Sequence, residues 1–249
     1  MSAPRPRVTE TALLGGRVRV LQPAKGYRTA IDAVLLAAAV PAGSGETVLE
    51  LGTGVGAAAF CLATRVPGVQ ITALEREPAL AELARLGVTA NGFEARVWIV
   101  TGDVLSPPVE IAGSGFDHVL LNPPYAAAGT SRPSPDPLKH AATVEGEARL
   151  ADWLRCAASA CKPGGTVTVI HLFARLGEVT AGLAAQGFGA QQVLALAPKA
   201  DGKPKRAIVR AQKGAAARVT ECTPLVLHEA NGDFTAAAEK VLRHAESLL

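Results

Sequence analysis

The sequence predicts an α/β fold, in which helices cover both faces of a mostly parallel, doubly wound sheet. Three observations support this fold class. The chain of 249 residues can bury one large core. Short apolar runs alternate with helical stretches from residue 47 onward, and glycine-rich or proline-rich turns follow several of these runs. Alternation of this kind is typical of βαβ units joined into a parallel sheet.

The N-terminal segment is expected to begin with a flexible tail over residues 1–12. Its charged, proline-containing start lacks the apolar stretch of a secretory signal. Residues 14–23 predict short strands around a glycine turn. Apolar spacing and alanine content then predict a helix over 29–40, which Pro41-Ala42-Gly43 ends.

The core elements follow in a regular order. Strand-like runs occur at 47–51, 69–74, 96–101, 116–121, 166–172 and 190–197, and helical stretches at about 56–65, 78–91, 147–161 and 175–186. Lys162-Pro163-Gly164-Gly165 predicts a turn between a helix and a strand. The small, polar and proline-rich segment 126–140 interrupts this order. It is either a lid that closes over a substrate or a merely disordered loop, and we favour the lid.

The bulk composition excludes several classes of protein. No apolar stretch reaches the roughly 18 to 20 residues that span a bilayer, so no membrane partner is expected. The four cysteines show no C-x-x-C spacing, which predicts free thiols in a reducing cytoplasm and no metal. A net charge of +3 does not by itself indicate nucleic acid. Residues 199–218, however, carry seven basic side chains against one acid, and these are either a solvated surface or a phosphate-binding one.

The segment Glu50-Leu51-Gly52-Thr53-Gly54-Val55-Gly56 is a glycine-rich turn between a strand and a helix. Ligands of open α/β sheets bind beyond the carboxyl ends of the strands, so each residue of this turn is a candidate for a cofactor site. Glycines there let the backbone turn tightly and approach a ligand closely. The spacing differs from the G-x-G-x-x-G of dinucleotide folds, which makes a dinucleotide the less favoured ligand.

Two acids end the next two strands. Glu75 lies some twenty residues beyond the glycines, where a ribose diol would take a bidentate acceptor. Asp103 follows the strand 96–101 and could accept a hydrogen bond from the exocyclic amine of an adenine. Each acid could instead cap the N-terminus of a helix. Their placement on successive strand ends favours a nucleoside site.

Asn122-Pro123-Pro124-Tyr125 directly follows the apolar strand 116–121. The side-chain oxygen of Asn122 and the carbonyl of Pro123 are predicted to accept both hydrogens of a planar NH₂ group, which exposes the nitrogen lone pair. Pro124 stiffens the turn and removes a competing donor, and Tyr125 offers a stacking face to the substrate. Together with the glycine turn, this corner predicts methyl transfer from S-adenosylmethionine to a planar amine.

On these motifs the chain resembles class I S-adenosylmethionine-dependent methyltransferases of the N-P-P-Y type. It is most similar to the bacterial family that methylates adenine N6 beside the anticodon of a valine tRNA. The resemblance runs from about Leu14 to the C-terminus and includes Gly15-Gly16-Arg17 and the segment 22–36. It assigns the cofactor contacts to Tyr27, Arg28, Asp32, Glu50, Gly52, Thr53, Gly54, Gly56, Glu75, Asp103 and Asn122.

The resemblance also implies the overall architecture. It is a Rossmann-like sandwich with a seven-stranded, mostly parallel sheet whose last hairpin, 190–197 and 206–212, is antiparallel. Residues 13–249 are then a single methyltransferase domain. Within it, residues 13–45 cap the cofactor site, with Tyr27, Arg28 and Asp32 at the methionine end, and residues 46–249 form the core.

Three functions compete at this point. An RNA adenine-N6 methyltransferase, with tRNA favoured, would hold phosphates with Lys199, Lys203, Lys205 and Arg206. A release-factor-type enzyme would methylate a glutamine amide at the same corner. Those relatives usually carry a separate N-terminal helical domain, whereas only about twelve residues precede the first motif here, which favours RNA. A module that binds cofactor without activity is the third alternative, and the intact Asn122 and Tyr125 speak against it.

Overall fold

The computed structural model describes residues 7–125 and 144–249, which form a helix-covered sheet and a small hairpin. The predicted lid at 126–140 therefore lies outside the described residues. Within the described ranges, no helix is both long enough and apolar enough to cross a membrane.

The hairpin comes first in the chain. Strands β1 (Val8–Leu13) and β2 (Val18–Pro23) pair antiparallel around a 3₁₀ turn, and helix α1 (Ile31–Ala39) follows. Strand β1 lies largely within the predicted tail of residues 1–12, so the boundary of that tail differs from the structure. Strand β1 could not be predicted, because most of its side chains are exposed and an exposed strand lacks apolar alternation.

The remaining elements alternate in chain order as predicted. They are β3 (Thr47–Leu51), α2 (Ala57–Arg65), β4 (Gln70–Glu75), α3 (Pro78–Asn91), β5 (Val97–Thr101), β6 (Phe116–Leu121), α4 (Leu150–Ala160), β7 (Cys161–Leu172), α5 (Leu176–Ala185), β8 (Phe188–Ala197), β9 (Arg206–Lys213), β10 (Val219–Glu221), β11 (Leu225–Val226) and α6 (Ala236–His244). The predicted turn at 162–165 lies inside β7, where the pairing with β6 shifts register and Gly164 adopts a positive φ.

The sheet has the strand order β10-β8-β9-β7-β6-β3-β4-β5, with β11 also paired to β8. Strand β9 runs antiparallel to both β7 and β8, and the other pairings are parallel. The seven strands expected from the resemblance, β3 to β9, are all present with the predicted antiparallel hairpin. In the described residues the sheet counts nine strands, because β10 and β11 add two short segments beside β8.

The strand order reverses between β3 and β6, which lie side by side although β4 and β5 come between them in chain order. Leu51 and Leu121, their last residues, are paired in register. The glycine turn after β3 and the proline corner after β6 therefore leave the sheet next to each other. This is the switch point at which open α/β sheets bind their ligands.

Two apolar layers hold the sheet. On one face, buried residues of α1, α2, α3 and α6 pack against the strands, and on the other α4 and α5 do so. Phe60, Leu36 and Leu154 are among the largest fully buried side chains. Burial on both faces explains why the central strands read as nearly continuous apolar runs.

Candidate functional site

A cavity of about 380 Å³ opens at the carboxyl ends of β3, β4 and β6. This volume is within the range of pockets that enclose small ligands. Most of the residues that the sequence predicted for the site line it. They are Tyr27, Arg28, Asp32, Glu50, Gly52, Thr53, Gly54, Glu75, Asp103, Asn122, Pro124, Tyr125 and Arg206.

The glycine turn forms the floor of the cavity. The backbone N–H groups of Gly52 and Thr53 both donate to the carbonyl of Leu74, 2.9 Å away, which ties the turn to the end of β4. Gly54 has φ +59°, and a Cβ atom there would clash with the hydroxyl of Tyr27. Gly56 lies outside the cavity lining; it precedes α2 with φ +89° and faces the ring of Phe60. These features indicate a role of Gly56 in backbone geometry, and its contact with the cofactor stays a prediction.

Glu50 is a buried acid beneath this turn. Its Oε2 accepts hydrogen bonds from the Thr53 hydroxyl at 2.7 Å and from the Ala59 N–H at 3.0 Å. Burial, only partly offset by these two donors, raises the pKa of Glu50 to about 7. The carboxyl group thus holds the turn to the start of α2, with an oxygen to spare for a ligand.

Glu75 and Asp103 lie at the ends of their strands, as predicted. Glu75 accepts the Gly54 N–H at 2.7 Å through Oε2 and the Glu77 N–H at 2.8 Å through Oε1. Burial raises its pKa, against the effect of these donors. Asp103 accepts the Leu105 N–H at 2.9 Å and lies 3.5 Å from Arg76. Both acids line the cavity while also fixing local turns. Neither caps a helix among the described residues, and their contacts with a cofactor stay predictions.

Asn122 supplies the main unsatisfied group of the site. Its Oδ1 is buried, and it has no hydrogen-bond partner among the described residues. An unpaired buried acceptor is costly, by about 1 to 3 kcal/mol, and such groups are usually satisfied by a bound ligand or water. Pro123 is buried and does not line the cavity. The residues of the corner that line it are Asn122, Pro124 and Tyr125.

Tyr125, Asp32 and Arg206 form a three-residue contact at the mouth of the corner. The Tyr125 hydroxyl donates to Asp32 Oδ2 at 2.8 Å, and Arg206 Nε donates to the same oxygen at 3.1 Å. The Arg206 guanidinium carbon lies 4.3 Å from the centroid of the Tyr125 ring. Burial, with the nearby charge of Asp32, raises the pKa of Tyr125, which keeps its phenol protonated.

This contact bears on two sequence-based assignments. Asp32 lines the cavity and binds Tyr125 and Arg206, and its contact with the methionine end of the cofactor stays a prediction. Arg206 is predicted to hold phosphate with the neighbouring lysines, and its environment differs from theirs. Its side chain is only 27% exposed and paired with Asp32, whereas Lys199, Lys203 and Lys205 are exposed and do not line the cavity. Arg28 reaches the cavity wall, but its guanidinium donates to Thr9 and Ala24 of the hairpin.

A buried ion pair supports the corner from behind. Arg175 Nη1 donates to the Tyr125 carbonyl at 3.2 Å and to Glu145 Oε1 at 2.7 Å. Glu145 is almost fully buried. His171 meets the Tyr125 ring edge-on at a centroid distance of 5.9 Å, and burial, assisted by the charge of Arg175, lowers the pKa of His171 to about 4. The sequence analysis missed these supports because no motif links them to the corner.

Trp153 is a further residue that the sequence did not assign to the site. It lines the cavity against Gly52, and its buried Nε1 has no acceptor among the described residues. Its place within the predicted helix 147–161 gives no indication of such a role. The orphaned indole N–H is the one signal of another role, and only the structure reveals it.

The described residues contain no group of three histidine, cysteine or acidic side chains able to hold a metal ion. The donors that converge on the cavity are instead carboxylates, backbone amides and one carboxamide. Such a set suits an uncharged or cationic organic ligand with hydroxyl and amine groups. A glycine cradle, an unpaired Asn122 oxygen and an unpaired indole N–H all fit an adenosine-containing ligand.

Comparison with known proteins identifies methyltransferases as relatives of this chain. A family model described as methyltransferase small domain matches residues 28–134. A tRNA1(Val) (adenine(37)-N6)-methyltransferase of Actinobacillus succinogenes is 33% identical over 137 residues, which cover 55% of this chain and 57% of that protein. A release factor glutamine methyltransferase of Chlorobaculum tepidum is 34% identical over 92 residues, or 36% of this chain and 31% of that one.

A solved structure extends the similarity over nearly the whole chain. The crystal structure of a predicted O-methyltransferase from Agrobacterium tumefaciens has 27% identity and a TM-score of 0.72, and the match covers 88% of this chain and 98% of that one. The chain spans about half the length of the curated tRNA methyltransferases that it matches, 44% and 57% for two of them. These findings confirm the predicted fold class and the resemblance to this group of methyltransferases.

Proposed function

We propose that this chain, which has the Rossmann-like methyltransferase fold, methylates the N6 amine of an adenine in tRNA. The observation that carries the proposal is the buried Oδ1 of Asn122, beside the cavity at the β3–β6 switch point, which has no hydrogen-bond partner within 7–125 and 144–249. The relatives named as tRNA adenine-N6 methyltransferases support this choice of substrate. Free thiols and a tRNA substrate are consistent with a cytoplasmic enzyme.

The cofactor is held by the floor and the strand ends. We propose that Glu75 accepts the ribose hydroxyls and Asp103 the adenine amine, with Glu50, Gly52, Thr53 and Gly54 shaping the floor. When bound, S-adenosylmethionine supplies an electrophilic methyl group. Tyr27 covers the glycine turn, and burial with the charges of Glu75 and Glu50 raises the pKa of its hydroxyl, so Tyr27 remains a neutral wall.

Asn122 performs the main positioning step. Its Oδ1 accepts one hydrogen of the substrate amine, and a carbonyl of the proline corner accepts the other. With both hydrogens held, the nitrogen lone pair is less delocalised into the ring and faces the cofactor. Holding the nitrogen at about 3 to 3.5 Å from the reacting carbon is worth a large part of the barrier. No side chain has to act as a strong base, because the amine becomes acidic only after transfer.

Exposed lysines next to the site favour RNA over protein as the substrate. Lys199, Lys203 and Lys205 are exposed in the loop between β8 and β9, directly before Arg206 of the cavity. Phosphates near the target nucleotide could pair with them. A glutamine amide is the second candidate, since it presents the same planar NH₂ group and a release factor glutamine methyltransferase is among the relatives.

The substrate is tested by giving the protein radiolabelled cofactor together with an unmodified valine tRNA transcript and, separately, a release factor. We expect label in the transcript, recovered as N6-methyladenosine after digestion to nucleosides. Label on a glutamine of the release factor, with none in the RNA, would replace the proposal by the second candidate. Transfer to neither substrate, with cofactor still bound, would indicate a binding module.

A further inference from the structure

The contact of Arg206 with Tyr125 has a consequence for how a substrate enters the site. Tyr125 is the aromatic residue of the corner, and a planar substrate would stack on its ring. The Arg206 guanidinium already lies 4.3 Å from the centre of that ring, and both side chains line the cavity. The stacking position is therefore occupied by a planar cation in the absence of substrate.

The spacing leaves no room for a third plane. Stacked atoms are at their optimum about 3.5 to 4.0 Å apart, so a base between the two side chains needs a gap of roughly 7 Å. Substrate entry must then move the guanidinium by about 3 Å, and the 3.1 Å bond from Arg206 to Asp32 gives way or shifts. Tyr125 keeps its own 2.8 Å bond to Asp32, and its backbone stays tied to Arg175.

We propose that Arg206 and Tyr125 form a clamp for the target base, in which the guanidinium plane covers one face of the base and the phenol ring the other. The inference deepens the proposed function and rests on it. In the free protein the clamp closes on itself, with Asp32 holding both members. Guanidinium planes stack on bases as aromatic rings do, which a lysine cannot reproduce.

The alternative role for Arg206 is a phosphate contact, as for the neighbouring lysines. Its environment speaks against this role. The side chain is mostly buried, ion-paired with Asp32 and directed into the cavity, whereas Lys205 beside it is exposed. A phosphate contact depends mainly on charge, so Arg206→Lys would largely preserve it. A clamp depends on the planar guanidinium, so Arg206→Lys would abolish it.

The test uses an unmodified valine tRNA transcript with 2-aminopurine at position 37 and the full chain loaded with S-adenosylhomocysteine. Stacking of the base inside the clamp quenches the fluorescence of 2-aminopurine. We expect quenching with the wild type, and loss of most of that quenching with both Arg206→Lys and Arg206→Met. The transcript should bind both variants about ten-fold more weakly, within the range for one lost base stack.

Lys205→Met serves as the matched control for charge. It should retain the quenching and lower the magnitude of the salt dependence of log K by about 0.7 to 0.9, as for one lost phosphate contact. Arg206→Lys should leave that slope unchanged. The affinity of each variant for S-adenosylhomocysteine, measured by calorimetry, should stay within two-fold of the wild type, which shows that the cofactor pocket is intact.

The outcomes separate the clamp from the proposed function. If the wild type methylates the transcript without 2-aminopurine but gives no quenching, the clamp is overturned and the function stands. The same holds if it methylates the transcript and Arg206→Lys quenches as strongly as the wild type. Arg206-dependent quenching without any methylation would support the clamp and overturn the function. Neither quenching nor methylation would overturn both. Should the Arg206 variants fail to fold, the wild-type quenching alone still decides whether the base enters a stack.

Discussion

At the scale of single residues, the central feature is the side-chain oxygen of Asn122, a buried hydrogen-bond acceptor with no partner in the described part of the chain. Asn122→Ala removes this acceptor and leaves the other residues of the cavity lining unchanged. Loss of one preorganised hydrogen-bonding group at a reacting centre costs on the order of 100-fold to 1,000-fold in rate. We therefore expect transfer to fall by at least about 100-fold, while the affinity for S-adenosylhomocysteine stays within a few-fold. Asn231→Ala, at an exposed turn, is the matched control. Unchanged turnover in Asn122→Ala would contradict the assigned role.

The buried carboxyl of Glu50 predicts a pH dependence of stability. Its pKa is about 7 in the folded protein and near 4.5 in the unfolded chain, so the folded state binds the proton more tightly. This stabilisation is complete below about pH 4.5 and is lost as the pH rises to about 7, by roughly 3 kcal/mol if the full shift applies.

Glu50→Gln has no proton to lose. The difference in unfolding free energy, variant minus wild type, should therefore rise by up to about 3 kcal/mol between pH 4.5 and pH 7.5. Taking the difference removes the opposite contribution of His171, whose lowered pKa favours the folded state at higher pH. Urea unfolding of both proteins measures it. A difference that does not vary with pH would show that Glu50 is ionised in the folded protein.

The residue scale also shows what a sequence alone can predict. The cavity-lining positions of Glu50, Glu75, Asp103 and Asn122 could be predicted, because these residues lie at or just beyond strand ends, and strand ends meet at one edge of a parallel sheet. The contacts of Asp32 could not be predicted, because its partners Tyr125 and Arg206 are 93 and 174 residues away. The local sequence pattern does not show which distant side chain contacts a given carboxylate.

At the scale of elements, the glycine turn after β3 depends on two separable properties of Gly54. Its φ is +59°, and its Cα lies against the Tyr27 hydroxyl. Gly54→Ala should displace Tyr27 and reduce the affinity for S-adenosylhomocysteine by at least ten-fold. Gly45→Ala, at φ +83° with open space around it, isolates the backbone strain of about 1 kcal/mol. Calorimetric titration of both variants tests this, and equal affinities would exclude Tyr27 from the wall of the site.

The support behind the corner after β6 is a second property of elements. Arg175 pairs with the buried Glu145 and holds the Tyr125 carbonyl. Arg175→Leu leaves the buried Glu145 carboxylate with only the 3.7 Å contact of the exposed Arg149. Loss of the close partner of a buried ion typically costs about 3 to 5 kcal/mol. We expect a loss of stability of that order, and the double variant Arg175→Leu with Glu145→Leu should recover most of it. Thermal unfolding of the wild type, Arg175→Leu and the double variant provides the measurement. An Arg175→Leu protein as stable as the wild type would show that the ion pair does not stabilise the fold.

Element boundaries were predicted best where an apolar run stands between clear turns. The bounds of β3, α3 and β6 coincide with the predicted 47–51, 78–91 and 116–121. Strands β1 and β10, with mostly exposed side chains, gave no such pattern. Their existence depends on pairing with β2 and β8, and pairing with a partner elsewhere in the chain is invisible to a local pattern.

At the scale of the whole molecule, the position of the basic loop predicts how binding of RNA responds to salt. Lys199, Lys203 and Lys205 lie in the loop between β8 and β9 and are exposed. Replacing all three by methionine should lower the magnitude of the slope of log K against log salt by about 2 to 3, if each contacts one phosphate. Lys240→Met on α6 is the matched control. Filter binding of a valine tRNA transcript at several salt concentrations measures the slope, and an unaltered slope would remove this loop from the RNA-binding surface.

The whole account depends on Asn122 facing a substrate amine next to the bound cofactor. The most direct measurement is a crystal structure with S-adenosylhomocysteine and adenosine bound together. We predict that Asn122 Oδ1 lies within hydrogen-bonding distance, about 2.7 to 3.2 Å, of the exocyclic nitrogen of the adenosine. An Asn122 side chain turned away from the nucleoside, or a cofactor bound outside the β3–β6 cavity, would contradict the account.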